Sequence, residues 1–138
     1  MAIIRYIDSV ESISADNLHG FFVGWPNPPA PQTHLEILKN SDEIVLAVSD
    51  ETHNAVGFIS ALTDRVLSAY IPLLEVLPAY QGQGIGRELV RRMLEKLHGL
   101  YMIDLLCDEE LQSFYGKLGM RASHGMLMRN HARQSGRR

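Results

Sequence analysis

The most constraining stretch of this chain runs from Leu73 to Leu89 and reads Leu-Leu-Glu-Val-Leu-Pro-Ala-Tyr-Gln-Gly-Gln-Gly-Ile-Gly-Arg-Glu-Leu. Apart from Glu75 its first residues are continuously apolar, as in a central strand covered on both sides. Gly82, Gly84 and Gly86 then let the backbone curl and come close to a ligand. From Gly84 onward Ile85, Leu89, Met93 and Leu97 recur at helical spacing, while Arg87, Glu88, Arg91, Arg92, Glu95 and Lys96 cover the other face. A strand therefore feeds a helix through a glycine loop, and the loop amides converge at the helix N-terminus. That is an anion site, and the anion it suits best is a phosphate. The competing reading is a plain tight turn, in which three glycines within five residues would lose backbone entropy to no purpose.

Around this stretch the chain divides readily. Residues 2–8 read as a first strand. Ser14-Ala15-Asp16-Asn17 offers N-cap chemistry for a helix carrying Leu18, Phe21 and Phe22 and ending near Gly24. The proline-rich run from Trp25 to Pro31 excludes regular structure. Thr33 is placed to cap a short helix with Leu35, Ile37 and Leu38. Residues 43–49 and 55–62 form an antiparallel hairpin across a polar turn, and 68–77 is a longer strand. After the helix that Gly99 stops come a strand at 101–106 and a last helix at 109–118. Two short strands follow about Gly125, and a polar basic tail begins near Asn130. The order predicts an α/β (mixed α+β) domain over residues 1–130, with a central mixed sheet flanked by helices on both faces and a tail at 131–138. The strand–helix–strand from Leu73 to Leu106 is a right-handed crossover between parallel strands.

Composition excludes several classes. The 138 residues suit one domain, and a formal net charge of -3 argues against a nucleic-acid binder. No apolar run is long enough for a bilayer, and the N-terminus lacks the layout of a signal peptide. With Cys107 as the only cysteine, no internal disulfide forms. A cytoplasmic protein without a membrane partner is expected. His19, His34, His53, His98, His124 and His131 show no metal-ligand spacing, so no metal is expected.

Two familiar phosphate motifs fail at the glycine loop. A P-loop ends in Gly-Lys-Ser or Gly-Lys-Thr, whereas this loop ends Gly86-Arg87-Glu88. The dinucleotide fingerprint is Gly-x-Gly-x-x-Gly, and here the third glycine comes one residue early. What fits is Gln81-Gly82-Gln83-Gly84-Ile85-Gly86 after Val76-Leu77-Pro78. This resembles the acyl-CoA signature of the GCN5-related N-acetyltransferase (GNAT) superfamily. Ser113-Phe114-Tyr115-Gly116-Lys117-Leu118-Gly119-Met120 is similar to that family's second signature, one helix and one strand later. The resemblance covers nearly the whole chain. This sequence departs from the family at Asp108, where many members carry asparagine, and at Gly116, where glutamate is more usual.

The resemblance implies a GNAT-like acyl-CoA N-acyltransferase fold and acetyl transfer from acetyl-CoA to a primary amine of a small molecule or peptide. Attack would be direct, in a ternary complex. It places the CoA pyrophosphate on Gln81, Gly82, Gln83, Gly84, Ile85, Gly86 and Arg87. The pantetheine arm lies beside the backbone of Glu75, Val76 and Leu77, with the Val76 N–H polarising the thioester carbonyl. Tyr115 becomes the general acid, and a homodimer through the late strands is within the family's habit.

Glu75 is a carboxylate in an apolar strand. Such a group either faces a pocket, where desolvation makes it a better base, or reaches water or an arginine at the strand end. Tyr70 stands where some members keep a glutamate base, so the base is Glu75, a water chain, or neither. Phe22 and Trp25, ahead of rigid prolines, are candidates for the acceptor pocket along with Glu75; otherwise they form an aromatic cap on the sheet. Two further readings compete with the enzyme, a non-catalytic acyl-CoA sensor and a nucleotide-binding interaction domain.

Overall fold

The computed structural model describes residues 3–136. Met1 and Ala2 of the expected first strand, and Arg137 and Arg138 of the tail, lie outside the described residues. Among the described residues five strands form one mixed sheet: β1 (Ile4–Ile7), β2 (Glu43–Ser49), β3 (Ala55–Thr63), β4 (Ser68–Val76) and β5 (Met102–Asp104). They lie in chain order, antiparallel except for the parallel junction of β4 with β5. Helices α1 (Pro31–Asn40), α2 (Ile85–Lys96) and α3 (Gln112–Gly116) accompany it.

The period of two along β2 assigns the faces. Val45 and Ala47 join the core beneath α2 and α3, with Ile59, Leu89, Val90 and Met93. Ile44, Leu46 and Val48 join the core beneath α1, with Leu18, Phe21, Phe22, Leu38 and Phe58. Gly57 on β3 brings α2 close: a Cβ there would lie 3.1 Å from the Leu89 side chain and 3.3 Å from the Glu75 carbonyl.

Three expectations need correction. The stretch from Ser14 forms only a 3₁₀ turn, Ala15–Asn17, with the Ser14 N–H donating to Asn17 Oδ1 at 2.9 Å. No helix continues because Gly20, Phe22 and Gly24 all take left-handed φ, at +90°, +63° and +83°. Helix α1 starts at Pro31, whose missing N–H is harmless in a first turn, so Thr33 is buried inside that turn instead of capping it. Residues 121–128 form no strands, and every side chain from 121 to 130 is exposed, so a ladder there would bury no apolar face within the chain. The tail returns to the body, where the Asn27 N–H donates to Gln134 Oε1 at 2.8 Å.

His34 on α1 is 1% exposed and caged by Phe21, Phe22 and Phe58, with ring centroids at 5.2, 4.9 and 4.4 Å. Among the described residues neither ring nitrogen has a hydrogen-bond partner. Burial pushes its pKa from 6.5 down to about 4. Between those values the unfolded chain holds the extra proton, so stability is complete above about 6.5 and is lost as pH falls toward 4. The loss should reach about 3 kcal/mol. Urea midpoints measured across this range should flatten in His34→Leu; an unchanged acid limb would refute the assignment. Glu88, whose carboxylate is held near 2 chiefly by Arg91, gives up its own contribution as pH falls below about 4.5, so the upper part of this limb belongs to His34.

Candidate active site

The site begins with an irregularity in β4. Leu73 pairs with Ser60 but Tyr70 pairs with Leu62, so Ile71 and Pro72 together face Ala61. This is a β-bulge on β4, and Pro72, which has no N–H to give a ladder, sits in it. The bulge shifts the alternation of side chains. Ala69 and Ile71 pack beneath α2, and so do Leu74 and Val76. Leu73 turns to the α1 face, as does Glu75.

Beyond the bulge β4 loses its parallel neighbour. Pairing with β5 covers only Ser68–Tyr70 against Met102–Asp104. Past that point Ile71–Glu75 and Leu105–Asp108 diverge around a cavity of about 670 Å³. Leu77 donates its N–H to Val56 across the β3 junction at 2.8 Å. Successive N–H groups of a strand point in opposite directions, so the Val76 N–H faces the gap. The Val76 carbonyl is held by the Gln81 amide, Nε2 to O at 2.9 Å. Of the three backbone positions expected beside the pantetheine arm, Glu75, Val76 and Leu77, Val76 offers its donor to the gap and Leu77 commits its own to the sheet.

The glycine loop follows. Gly82 and Gly84 take φ of +78° and +86°, Gly84 being the N-cap of α2, and a Cβ on either would meet open space. The first intrahelical bond is Glu88 N–H to Gly84 C=O at 3.1 Å, which leaves the amides of Ile85, Gly86 and Arg87 without helical acceptors. The Ile85 side chain is buried in the core, so only its amide can serve a ligand. Gln83 and Arg87 are exposed at the loop surface. Gly86 is helical and lies against the Phe114 ring, which a Cβ would meet at 3.7 Å. That contact seats α3 on the loop.

Tyr115, next to Phe114 on α3, is 8% exposed and lines the cavity. Burial, with Cys107 nearby, pushes its hydroxyl up to about 12. Burial and the neighbouring Asp108 and Glu110 also raise the Cys107 thiol, which keeps it protonated and a poor nucleophile.

Glu75 faces the other side of the gap. Its Oε1 accepts the Phe22 N–H at 2.8 Å and its Oε2 accepts the Val23 N–H at 3.2 Å. These bonds hold the left-handed Phe22, whose ring packs at a tilt of 58° against Trp25 with centroids 4.9 Å apart. The cavity thus gathers Phe22, Trp25, Glu75, Gln81 and Tyr115 from four separate stretches. Gly82, Gln83, Gly84, Ile85, Gly86 and Arg87 lie outside its wall, in the adjoining loop. Sequence reasoning missed Val23, Phe58, Leu106 and Leu111 as lining residues. Nothing in their local sequence marks them, since they come to the gap only through the fold. Among the described residues no group of three or more histidine, cysteine or acidic side chains is arranged for a metal.

Comparison with known proteins agrees with this architecture. The profile of the acetyltransferase (GNAT) family matches residues 10–120. A candidate acetyltransferase from Deinococcus radiodurans R1 superposes with a TM-score of 0.93 at 41% identity, covering 96% of this chain and 92% of that one. A GNAT-family acetyltransferase from Streptococcus pneumoniae gives 0.72 at 28% identity, covering 94% and 98%. The N-acetyltransferase ycf52 of Pyropia yezoensis, itself uncharacterized, is 31% identical over 101 residues, which is 70% of this chain and 58% of that protein. The chain spans about half the length of the curated relatives it matches. Sequence profile, fold and the gap beside β4 agree: the chain belongs to the GCN5-related N-acetyltransferase (GNAT) family.

Proposed function

We propose that this chain transfers an acetyl group from acetyl-CoA to a primary amine by direct attack in a ternary complex. The observation that carries the reading is the gap between β4 and β5, with Tyr115 on one side and Glu75 on the other. Acetyl-CoA would supply the activated acetyl thioester. In the transfer an N–C bond forms and the C–S bond breaks. The loop amides from Gly82 to Arg87, at the positive end of α2, suit the diphosphate. The Val76 N–H polarises the acyl carbonyl. Each Glu75 oxygen accepts one backbone bond and keeps a further lone pair, so the carboxylate can take the amine proton directly or through water. The Tyr115 hydroxyl returns a proton to the departing sulfur. This placement of Tyr115 favours an enzyme over a passive acyl-CoA sensor.

Residues 1–130 act as one domain in this reading, with 131–138 as its tail. Cysteine usage supports a reducing compartment such as the cytoplasm. No helix among the described residues is long and apolar enough to cross a membrane.

Thermal melting should rise with acetyl-CoA and with CoA but not with ATP, and thiol release should appear with an amine. No response to either CoA compound would remove the proposal. Gly84→Val should weaken acetyl-CoA binding about tenfold, because a side chain in left-handed backbone costs about 1–2 kcal/mol. Undiminished affinity in that variant would place the diphosphate elsewhere.

A further inference from the structure

We infer that the acceptor is a cationic amine whose remaining body is apolar and carries no carboxylate or phosphate. The inference rests on the acetyltransferase reading and names its acceptor class.

Charge carries it first. Among the described residues that line the cavity there are two carboxylates, Glu75 and Asp108, and no lysine, arginine or histidine. A protonated amine entering the gap meets opposite charge. An anionic group on the same molecule would meet like charge from this described lining, after losing its own water.

The wall carries it second. On the α1 side the cavity is bounded by Phe22, Val23, Trp25 and Leu73. Phe22 is 4% exposed and Trp25 38%, so one ring forms the floor and the other stands at the mouth. Faces of this kind bind apolar bodies by area, and the indole adds a cation–π attraction for an ammonium close by. They offer no hydrogen-bond fork for a sugar hydroxyl array.

The third observation joins the other two. Glu75 holds the Phe22–Val23 turn through both oxygens, and in the proposed reaction it is also the carboxylate that takes the amine proton. One group therefore sets the position of the aromatic wall and of the ammonium together. Acceptor length is read from a fixed origin, with the nitrogen at Glu75 and the apolar body on Phe22 and Trp25.

The test is a matched panel with acetyl-CoA, reading thiol release. 2-Phenylethylamine and phenylalanine differ by one carboxylate, ethanolamine lacks the apolar body, and glucosamine 6-phosphate carries a phosphate. The kcat/KM for 2-phenylethylamine should exceed that for phenylalanine about a hundredfold, and exceed that for ethanolamine about tenfold. Asp108→Lys, at an exposed position, should narrow the first ratio about tenfold through the KM for phenylalanine. Equal use of the matched pair, preference for glucosamine 6-phosphate, or no turnover of 2-phenylethylamine overturns the inference. Transfer to any other amine in the panel would leave the acetyltransferase reading standing alone. A melting shift with acetyl-CoA, measured in the same samples, reports on the donor side independently.

Discussion

Tyr115→Phe should lower kcat by about 10²- to 10³-fold and leave acetyl-CoA affinity unchanged. The change removes one oxygen. The ring remains in the α2–α3 core and keeps its edge contact with Phe114, centroids 5.0 Å apart, so melting should move little. In the proposed reaction, what disappears is the proton for the departing sulfur. With the hydroxyl raised to about 12, the wild-type acid stays loaded through the whole working range. Any alkaline loss of activity below about pH 10 must then come from another group, and Tyr115→Phe should keep that limb while sitting far beneath it. Steady-state kinetics across pH, with a thermal-shift control for CoA binding, measure both parts. Full turnover in the variant would remove Tyr115 from the chemistry.

Glu75→Ala should be more severe, because two tasks fail together. In the proposed reaction the amine loses its proton acceptor, and the Phe22 and Val23 amides lose the oxygens that hold them. A left-handed phenylalanine is strained by about 1–3 kcal/mol and persists only while its surroundings insist on it. Release should let the turn relax and carry Trp25 with it. We expect kcat/KM to fall about 10³-fold or more and stability to drop by about 1–2 kcal/mol. Trp25 is the only tryptophan, so its emission reports the turn directly. Glu75→Gln separates the tasks: its carbonyl can still accept the Phe22 N–H, so the emission should stay near wild type while kcat falls. Wild-type emission and acceptor KM in Glu75→Ala would show that the turn does not depend on this carboxylate.

What was legible in the sequence was local. The glycines at Gly82 and Gly84, the helical period from Ile85 and the Phe114–Tyr115 pair each act through their own few residues. Pattern alone could find them. The backbone of the segment before Trp25 was illegible for the opposite reason. Ser14 to Gly24 has the composition of a helix, yet its backbone answers to Glu75, more than fifty positions away. The missing late strands have a similar cause: Arg121–Met128 has strand-like residues but no surface within the chain on which to hide them. His34 was passed over because a histidine looks alike in sequence on a surface and inside a cage of rings.

The bulge on β4 was hidden as well, because nearly uniform apolarity conceals a change of parity. Counted strictly from Ala69 and Ile71, every second residue would put Leu73 and Glu75 inward, under α2, and Leu74 outward. One additional residue makes β4 two half-strands a step out of phase. The first half belongs to the sheet and keeps its parallel partner. The second half has lost that partner, so its edge is vacant on one side and its carboxylate is turned outward. A visiting molecule can then take the place of a strand. Residue spacing, as distinct from residue identity, is what decides this. Shortening β4 by one residue at Pro72 would leave every named catalytic side chain in place and still let β5 zip upward over the vacant edge.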